Sequence, residues 1–388
     1  MKRRVIFLLA LIILISNGVL AKDDKIIREE FLCNLLGKGS DSKEKITVRK
    51  LASILVDEIE ITYDNYSYYR SFINDASDLS ILKLYSEGIL KTDEKGNIYP
   101  DKELTEKEVN EILKRIDEPE IPPRPTYEER KNIPILMYHE IKDLPDPNLS
   151  GLYVSEENFI MQLDALKAKG YNAVTMEEVY NHWINKAPLP ENPIVLTFDD
   201  GYASHYSFVS KELNKRGMTG TFYIITWNVG KDPIRTRERL KEMYEEGMEI
   251  GSHTITHIDA RYSPNETILK QYKESKEFLE GVIGNKVEHF CYPIGAVTEY
   301  ARKVLKDLGY KTAVRTSYGR ANPSQGLYDL KRIRIDYFDT VDDFLNKIEG
   351  EYVKTNMSQK QIKKSNIQGH IMNNIKKDKA KGYSIAAY

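Results

Sequence analysis

From Ile133 onward, short apolar runs alternate with longer segments in which apolar residues recur every three or four positions. The short runs are rich in β-branched and aromatic residues and predict buried strands, whereas the longer segments predict helices. Glycines such as Gly170 and Gly217 close these helices. The alternation predicts parallel strands with crossover helices, and at least six such units favour a distorted TIM-like (β/α) barrel of about seven strands over an open sheet.

The first third of the chain has a different pattern, in which two similar stretches lie 58 residues apart. ITVRKLASILV begins at Ile46 and LTEKEVNEILK begins at Leu104. In each stretch a threonine, Thr47 or Thr105, precedes apolar residues at helical spacing and is a predicted N-cap. Thr105 and Glu108 also have the spacing of a capping box. The repeat predicts a small α-helical domain, because units of this length bury their apolar faces against each other.

Around these helices, the segments EGIL, KGNIYP and LTEKE give residues 46–116 a pattern that resembles the S-layer homology module. The resemblance implies binding to an anionic cell-wall polymer. Glu106 stands where that family has an arginine, although Arg49 follows Thr47 in the first copy. A helical spacer without wall-binding activity is the alternative interpretation.

The N-terminus carries a basic stretch, MKRR, an apolar run, and the small-residue site Val19-Leu20-Ala21. This pattern predicts a secretory signal peptide, and hence a secreted protein associated with the cell wall or cell surface. An uncleaved membrane anchor is the alternative, but Ser16 and Asn17 interrupt a run already short for a membrane span. No other segment has transmembrane length, so no transmembrane segment is expected after cleavage.

The composition of the chain indicates the size of its core and limits the partners that it can bind. Hydrophobic residues make up 41% of the sequence, which supports a sizeable core, and a net charge of -2 gives no indication of nucleic-acid binding. The two cysteines, Cys33 and Cys291, fit no metal-site spacing. The predicted segments are a signal peptide over residues 1–21, a helical repeat domain over 22–117, a Pro-rich linker over 118–132, a catalytic domain over 133–350 and a basic tail over 351–388.

Candidate chemistry is concentrated after two of the predicted strands. The run PIVLTF ends on Asp199 and Asp200 before a glycine, and SHTITH carries His253 and His257 four residues apart. A simple Asp-Gly turn and a chance histidine pair are the alternatives. A helical turn would place the two imidazoles on one side, and two imidazoles with one carboxylate are a common set for a divalent ion. Because both clusters follow strands, they are expected at the same end of the barrel.

TFDDG followed by SHTxTH resembles the polysaccharide deacetylase family, the NodB-homology carbohydrate esterases, over residues 133–344. The resemblance implies that Asp199 is the general base and that Asp200, His253 and His257 bind the metal. Zn²⁺ is the expected ion, although such ligands also accept Co²⁺, Ni²⁺ or Fe²⁺. The expected substrate is a polysaccharide that contains N-acetylglucosamine.

Three departures from the family pattern alter this assignment. Cys291, in FCYPIG, stands where many members have an arginine, and Arg332 is the predicted substitute. Tyr292 is predicted to offer a backbone N–H to the oxyanion. The family's C-terminal histidine motif is missing, whereas LMYHEI resembles the first strand of the poly-β-1,6-N-acetylglucosamine deacetylase branch. This second resemblance makes His139 the predicted general acid, with a hydrogen-bonded core histidine as the alternative.

The sequence therefore predicts an extracellular, metal-dependent polysaccharide N-deacetylase. An O-acetyl esterase acting on xylan or another wall glycan is the alternative within the enzyme class. A wall-binding protein that has lost activity is the alternative from another class. Phosphoester hydrolysis ranks below these, because the chain has neither a second metal set nor a phosphate loop.

Overall fold

The computed structural model describes residues 45–59, 61–63 and 65–350. The predicted signal peptide, Cys33 and the predicted basic tail lie outside these residues. No helix in the described part of the chain is both long and apolar enough to cross a membrane. The chain divides into two compact units, with the boundary after Val341, and the described part of the second unit is a helix.

The first region is helical and contains both repeats. Its helices are α1 (Val48–Leu55), α2 (Leu79–Ser86) and α3 (Glu106–Asp117), with a 3₁₀ helix at Tyr66–Phe72. The Thr47 side chain caps α1, and Thr105 forms the predicted capping box with Glu108. Arg49 pairs with Asp78 and Asp101, so its positive charge is neutralised within this region.

The second region alternates strands and helices in the predicted order. The strands are β1 (Ile135–Tyr138), β2 (Glu140–Ile141), β3 (Tyr153–Val154), β4 (Asn172–Ala173), β5 (Pro193–Asp200), β6 (Thr221–Ile224), β7 (Glu249–Ser252), β8 (His289–Cys291), β9 (Thr312–Tyr318) and β10 (Leu330–Arg334). The helices are α4 (Glu156–Ala168), α5 (Met176–Asn185), α6 (Ser210–Asn214), α7 (Arg237–Glu245), α8 (Asn265–Ile283), α9 (Glu299–Asp307) and α10 (Val341–Glu349), and a π-helix at His205–Val209 precedes α6.

Seven parallel strands close into a barrel in the order β1, β10, β9, β8, β7, β6, β5, with β5 pairing back to β1. Strand β4 pairs beside the start of β5, while β2 and β3 form a separate pair. The prediction of a distorted barrel of about seven strands is confirmed. Strand β5 is buried along its whole length except at Asp200, so its final carboxylates emerge at the carboxyl end of the barrel.

The helical region packs against the opposite end of the barrel, where the strands begin. Gly217 and Gly247 precede β6 and β7, and a Cβ there would lie 2.0 Å from the Ile73 carbonyl oxygen and 1.9 Å from that of Ser77. Both glycines have positive φ, so a larger residue would be strained as well as crowded. The carboxyl ends of the strands therefore remain free of the helical region.

A buried ion pair also joins the two regions. Arg70 Nη1 lies 2.8 Å from Glu178 Oε2, and both side chains are almost fully buried. Glu178 in turn accepts hydrogen bonds from the backbone N–H and hydroxyl of Thr175, forming the capping box of α5. The predicted linker contains neither helix nor strand, and the Arg130 carbonyl within it accepts a hydrogen bond from Trp183 Nε1 at 2.9 Å. This contact ties the linker to α5.

Candidate active site

The first carboxylate of the pair, Asp199, lies at the end of β5 and is 2% exposed. Arg332, from β10, is fully buried beside it. Its Nη1 donates to Asp199 Oδ1 and its Nη2 donates to Asp199 Oδ2, each at 2.7 Å. Nη1 also donates to Thr197 Oγ1 at 2.9 Å, and Nε donates to the Arg315 carbonyl at 2.9 Å. The guanidinium therefore fixes the orientation of the Asp199 carboxylate.

The electrostatics of this pair keep Asp199 ionised. Burial alone would raise the pKa of Asp199, but the attraction and hydrogen bonds of Arg332 outweigh it and hold the pKa well below its usual value. The same interactions raise the pKa of Arg332 despite its burial. A carboxylate that is ionised at neutral pH and held in one orientation is suited to accept a proton from a nearby water molecule.

Cys291 occupies the place that the family motif gives to an arginine, and the structure accounts for the exchange. Its Sγ lies 3.4 Å from Asp199 Oδ2 and 3.3 Å from Arg332 Nη2. The small thiol at the end of β8 leaves space that the Arg332 guanidinium fills from β10. The structure therefore brings Arg332 to the carboxylate as the sequence analysis expects, and it adds Cys291 and Thr197 as further contacts.

Removing the Arg332 charge should cost the fold about 3–5 kcal/mol, because Asp199 would remain as an uncompensated buried carboxylate. We expect this loss in the free energy of unfolding of Arg332→Met, measured by urea denaturation at neutral pH. The double variant Asp199→Asn/Arg332→Met leaves no buried charge at these two positions and should recover most of the loss. Equal destabilisation of the single and double variants would show that packing, not charge, accounts for the role of Arg332.

A second cluster combines Asp200 with the two histidines that follow β7. Asp200 Oδ1 lies 3.3 Å from His253 Nε2 and 3.6 Å from His257 Nε2. The predicted helical turn is wrong: residues 253–257 form a non-helical turn in which Thr254 and His257 have positive φ. The Thr254 hydroxyl accepts the His257 N–H at 2.9 Å and closes this turn.

Backbone strain is concentrated around this cluster. Of the seven described non-glycine residues with positive φ, four lie at the ends of β5, β7 and β8 that meet here. They are Asp200, Thr254, His257 and Ile294. Such conformations are costly for residues with a Cβ and persist where the surroundings impose them, often at functional sites.

The three side chains around Asp200 Oδ1 have the features of a divalent-cation site. Their ligand atoms all lie within 4.8 Å of one another. His253 Nδ1–H donates to the Cys291 carbonyl at 2.7 Å, which turns the Nε2 lone pair toward Asp200. Asp200 Oδ1 is buried and accepts no hydrogen bond from any residue that the structure describes, so it lacks the partner that a buried carboxylate oxygen requires. Two imidazoles and one carboxylate therefore fit a transition-metal ion here.

A second grouping, Asp199 with His253 and Cys291, also meets the distance criterion for a metal site. It is the poorer candidate. Asp199 is already neutralised by Arg332, and the Arg332 guanidinium lies 3.3 Å from the Cys291 sulfur, so a cation there would be repelled. Burial also raises the pKa of the Cys291 thiol, which disfavours the thiolate that a metal would require.

His139 directly follows β1 and reaches the same end of the barrel. Its Nε2 lies 3.7 Å from Asp199 Oδ2, and its backbone carbonyl accepts a hydrogen bond from His205 Nε2 at 2.7 Å. Burial lowers the pKa of His139 to about 4, although the Asp199 and Asp200 carboxylates oppose this change. Its Nδ1 is buried and has no hydrogen-bond partner within residues 45–59, 61–63 and 65–350. The imidazole is therefore neutral at pH 7 and lies beside the two carboxylates.

The structure corrects the expectation for Tyr292. Its backbone N–H donates to the Val314 carbonyl at 3.2 Å and its side chain is fully buried, so this N–H is not available to an oxyanion. Two residues later, Ile294 has φ of 50° and a side chain that is 54% exposed. Among the described residues no acceptor contacts the Ile294 N–H. Ile294 is the better candidate donor, and no motif in the sequence indicates its left-handed backbone.

Two candidate acid-base groups and a candidate cation-binding triad lie at one end of the parallel barrel, an arrangement typical of hydrolase sites, and comparisons with known proteins agree. The family model described as polysaccharide deacetylase matches residues 186–313. YxkH of Bacillus subtilis, named as a polysaccharide deacetylase, is 30% identical over 208 residues, which are 54% of this chain and 73% of YxkH. The chain belongs to the polysaccharide deacetylase family, and it is a hydrolase of the deacetylase class.

A solved structure and a second relative support the same assignment. The Streptococcus pyogenes deacetylase PplD, solved with acetate, is 30% identical with a TM-score of 0.53, and the match covers 56% of this chain and 98% of PplD. The poly-β-1,6-N-acetyl-D-glucosamine N-deacetylase of Escherichia coli is 25% identical over 235 residues. That match covers 47% of this chain and about a third (34%) of the E. coli enzyme.

Proposed function

We propose that this protein is an exported, metal-dependent N-deacetylase of N-acetylglucosamine-containing polysaccharide. The observation that carries the proposal is the pairing of an ionised, Arg332-bound Asp199 with the adjacent triad of Asp200, His253 and His257. Export is supported by the signal-peptide pattern of residues 1–21. Substrate class is supported by the relatives, whose names include an N-deacetylase of poly-β-1,6-N-acetyl-D-glucosamine.

The residues of the candidate site have separate roles in amide hydrolysis. Asp200, His253 and His257 would hold a divalent ion, which makes water more acidic and polarises the acetyl carbonyl. Asp199, fixed by Arg332, accepts the proton of the attacking water. The N–H of Ile294 offers a hydrogen bond to the oxygen on which negative charge develops.

The departing amine needs a proton, and His139 is the residue placed to deliver it. Its Nε2 is 3.7 Å from Asp199 Oδ2, so a proton taken up by Asp199 has a short path to the imidazole. Because the pKa of His139 is about 4, the imidazole holds no proton in reserve at pH 7. It therefore acts by passing on the proton that the reaction itself releases.

Zn²⁺ is the proposed ion, because two imidazoles and one carboxylate with open positions suit zinc in hydrolytic sites. Co²⁺, Ni²⁺ and Fe²⁺ fit the same ligands, and metal analysis of protein purified from its native host would show which ion is bound.

Association with the cell wall through the helical repeats remains a prediction. Arg49, the one arginine near the motif position, is committed to Asp78 and Asp101.

Acetate release with appearance of a free amine tests the proposed reaction. Zn²⁺-loaded protein is incubated with poly-β-1,6-N-acetylglucosamine, chitin oligomers and peptidoglycan glycan strands, with acetylated xylan as the ester substrate. We expect acetate and new amine from at least one amide substrate. Acetate from xylan alone, with all amides intact, would instead establish the O-acetyl esterase. No acetate from any substrate, together with glycan binding, would establish the inert wall-binding protein.

A further inference from the structure

An exposed tryptophan and a lysine form a small surface beside the candidate active site, here called the Trp227 platform. Trp227 is 59% exposed. Lys231 Nζ lies 3.9 Å from the centroid of its ring, within the range of a cation–π contact. A large aromatic side chain left exposed next to a site, with a polar group on its ring, is typical of a ligand-contact surface.

Backbone hydrogen bonds place this platform directly beside the proposed metal ligands. Trp227 lies in a 3₁₀ helix that follows β6. The Trp227 N–H donates to the Ile255 carbonyl at 3.0 Å, and the Thr226 N–H donates to the Thr254 carbonyl at 3.1 Å. Ile255 lies midway between His253 and His257 in the chain. The backbone of Trp227 is therefore hydrogen-bonded to the same turn that carries both histidines, at the carboxyl end of the barrel.

Lys231 contacts the Trp227 ring but forms no ion pair with another residue in the described part of the chain. Among the described residues no acidic side chain lies within ion-pair distance of its Nζ, whereas two neighbouring cations on this end of the barrel are neutralised. Arg235 pairs with Asp232 at 2.5 Å, and Arg261 pairs with Asp259 at 2.7 Å. An ammonium group on an aromatic ring beside a glycan-cleaving site is therefore free to meet a negative charge on a bound glycan.

We propose that the Trp227 platform binds the sugar next to the one that loses its acetyl group, and that it takes a sugar with an anionic substituent, either a carboxylate or a phosphate. The indole packs against the C–H face of that sugar, and the Lys231 ammonium pairs with the anion. This inference rests on the proposed deacetylase function and narrows its substrate class. Neutral polymers bind through the indole alone and gain nothing from Lys231.

Binding can be measured separately from turnover. The chain has two tryptophans, and Trp183 donates its indole N–H to the Arg130 carbonyl far from the platform. In Trp183→Phe carrying Asp199→Asn to prevent hydrolysis, Trp227 is the sole tryptophan. We expect its fluorescence to change on titration with peptide-free peptidoglycan strands, whose lactyl groups carry carboxylates, or with a phosphate-linked glycan. An unchanged signal with every glycan would overturn the proposal.

Kinetic measurements then distinguish the contribution of Trp227 from that of Lys231. Trp227→Ala should raise KM about tenfold for charged and neutral glycans alike, because an aromatic contact is lost. Lys231→Met keeps the stem on the indole but removes the charge, and should raise KM about fivefold for the anionic glycan only. Lys231→Met should raise KM more for one of the two anionic glycans, and that glycan shows whether Lys231 binds a carboxylate or a phosphate. High salt should remove the difference between Lys231→Met and the unsubstituted protein.

Lys83→Met is the matched control, because Lys83 also lies over an aromatic ring, that of Tyr66, but in the helical region. It should leave KM unchanged for every glycan. If the unsubstituted protein releases acetate while Lys231→Met changes KM equally for neutral and anionic glycans, or not at all, the proposed subsite is wrong and the deacetylase function stands. If the unsubstituted protein releases acetate from no glycan, the deacetylase function itself fails.

Discussion

The variant that carries both His253→Ala and His257→Ala should purify without stoichiometric divalent metal and should release no acetate. Two of the three proposed ligands are removed, and Asp200 alone cannot hold a transition-metal ion tightly. Metal analysis after dialysis against trace Zn²⁺ measures the first effect, and acetate release measures the second. Circular dichroism and thermal unfolding of the same samples establish that the barrel has folded.

Two further variants show which grouping holds the metal. Asp199→Asn should keep the metal and lose about 10²–10⁴-fold in rate, because it removes the proton acceptor but no proposed ligand. Cys291→Ser should also keep the metal if Asp200, His253 and His257 bind it. Loss of metal in Cys291→Ser would instead favour the grouping of Asp199, His253 and Cys291. Stoichiometric metal in the double histidine variant would exclude both groupings.

The barrel could be predicted because its apolar pattern and its architecture agree. Strand β5 has a continuous apolar run that ends on two carboxylates, and in the structure the run is buried and Asp200 emerges from it. Helix α5 is harder to predict from the apolar pattern, although Thr175 and Glu178 have capping-box spacing and both hydrogen bonds of that box are present. The signal was local and readable, but the segment is short and follows a strand of only two residues.

The candidate site was less predictable wherever it depends on backbone conformation. A four-residue spacing suggests a helix, yet His253 and His257 meet through a strained turn with positive φ at Thr254 and His257. The wrong choice of Tyr292 over Ile294 has the same origin, because the left-handed backbone of Ile294 leaves its N–H without an acceptor among the described residues. Local sequence does not encode such conformations, because the surrounding strands impose them.

The role of Arg332 could be predicted because Cys291 replaces the arginine of the family motif. The thiol of Cys291 could not supply the charge expected beside Asp199, and a buried carboxylate needs a compensating partner. A basic residue at the end of another strand can meet that need, and the structure places Arg332 within 2.7 Å of both carboxylate oxygens. The pairing crosses from β5 to β10, so no spacing in the sequence could have established it.

Replacing His139 with alanine should lower turnover on an N-acetyl substrate by about two to four decades and leave the metal content unchanged. The imidazole Nε2 is 3.7 Å from Asp199 Oδ2, and the backbone of His139 is fixed by His205. An unprotonated amine is a poor leaving group, so amide cleavage needs the proton that His139 passes on. Acetate release from chitin oligomers and metal analysis measure the two quantities on the same preparation.

An activated acetyl ester separates this role from a structural one, because its leaving group departs without a proton. His139→Ala should therefore lose much less activity on the ester than on the amide. His182→Ala is the matched control: His182 is also buried, its Nε2 accepts from the Arg130 N–H and its Nδ1 donates to the Ala187 carbonyl, but it lies in α5 and not at the end of a barrel strand. It should affect both substrates equally. Equal losses in His139→Ala would mean that this histidine supports the site without transferring a proton, and near-normal amide turnover would make it a core residue.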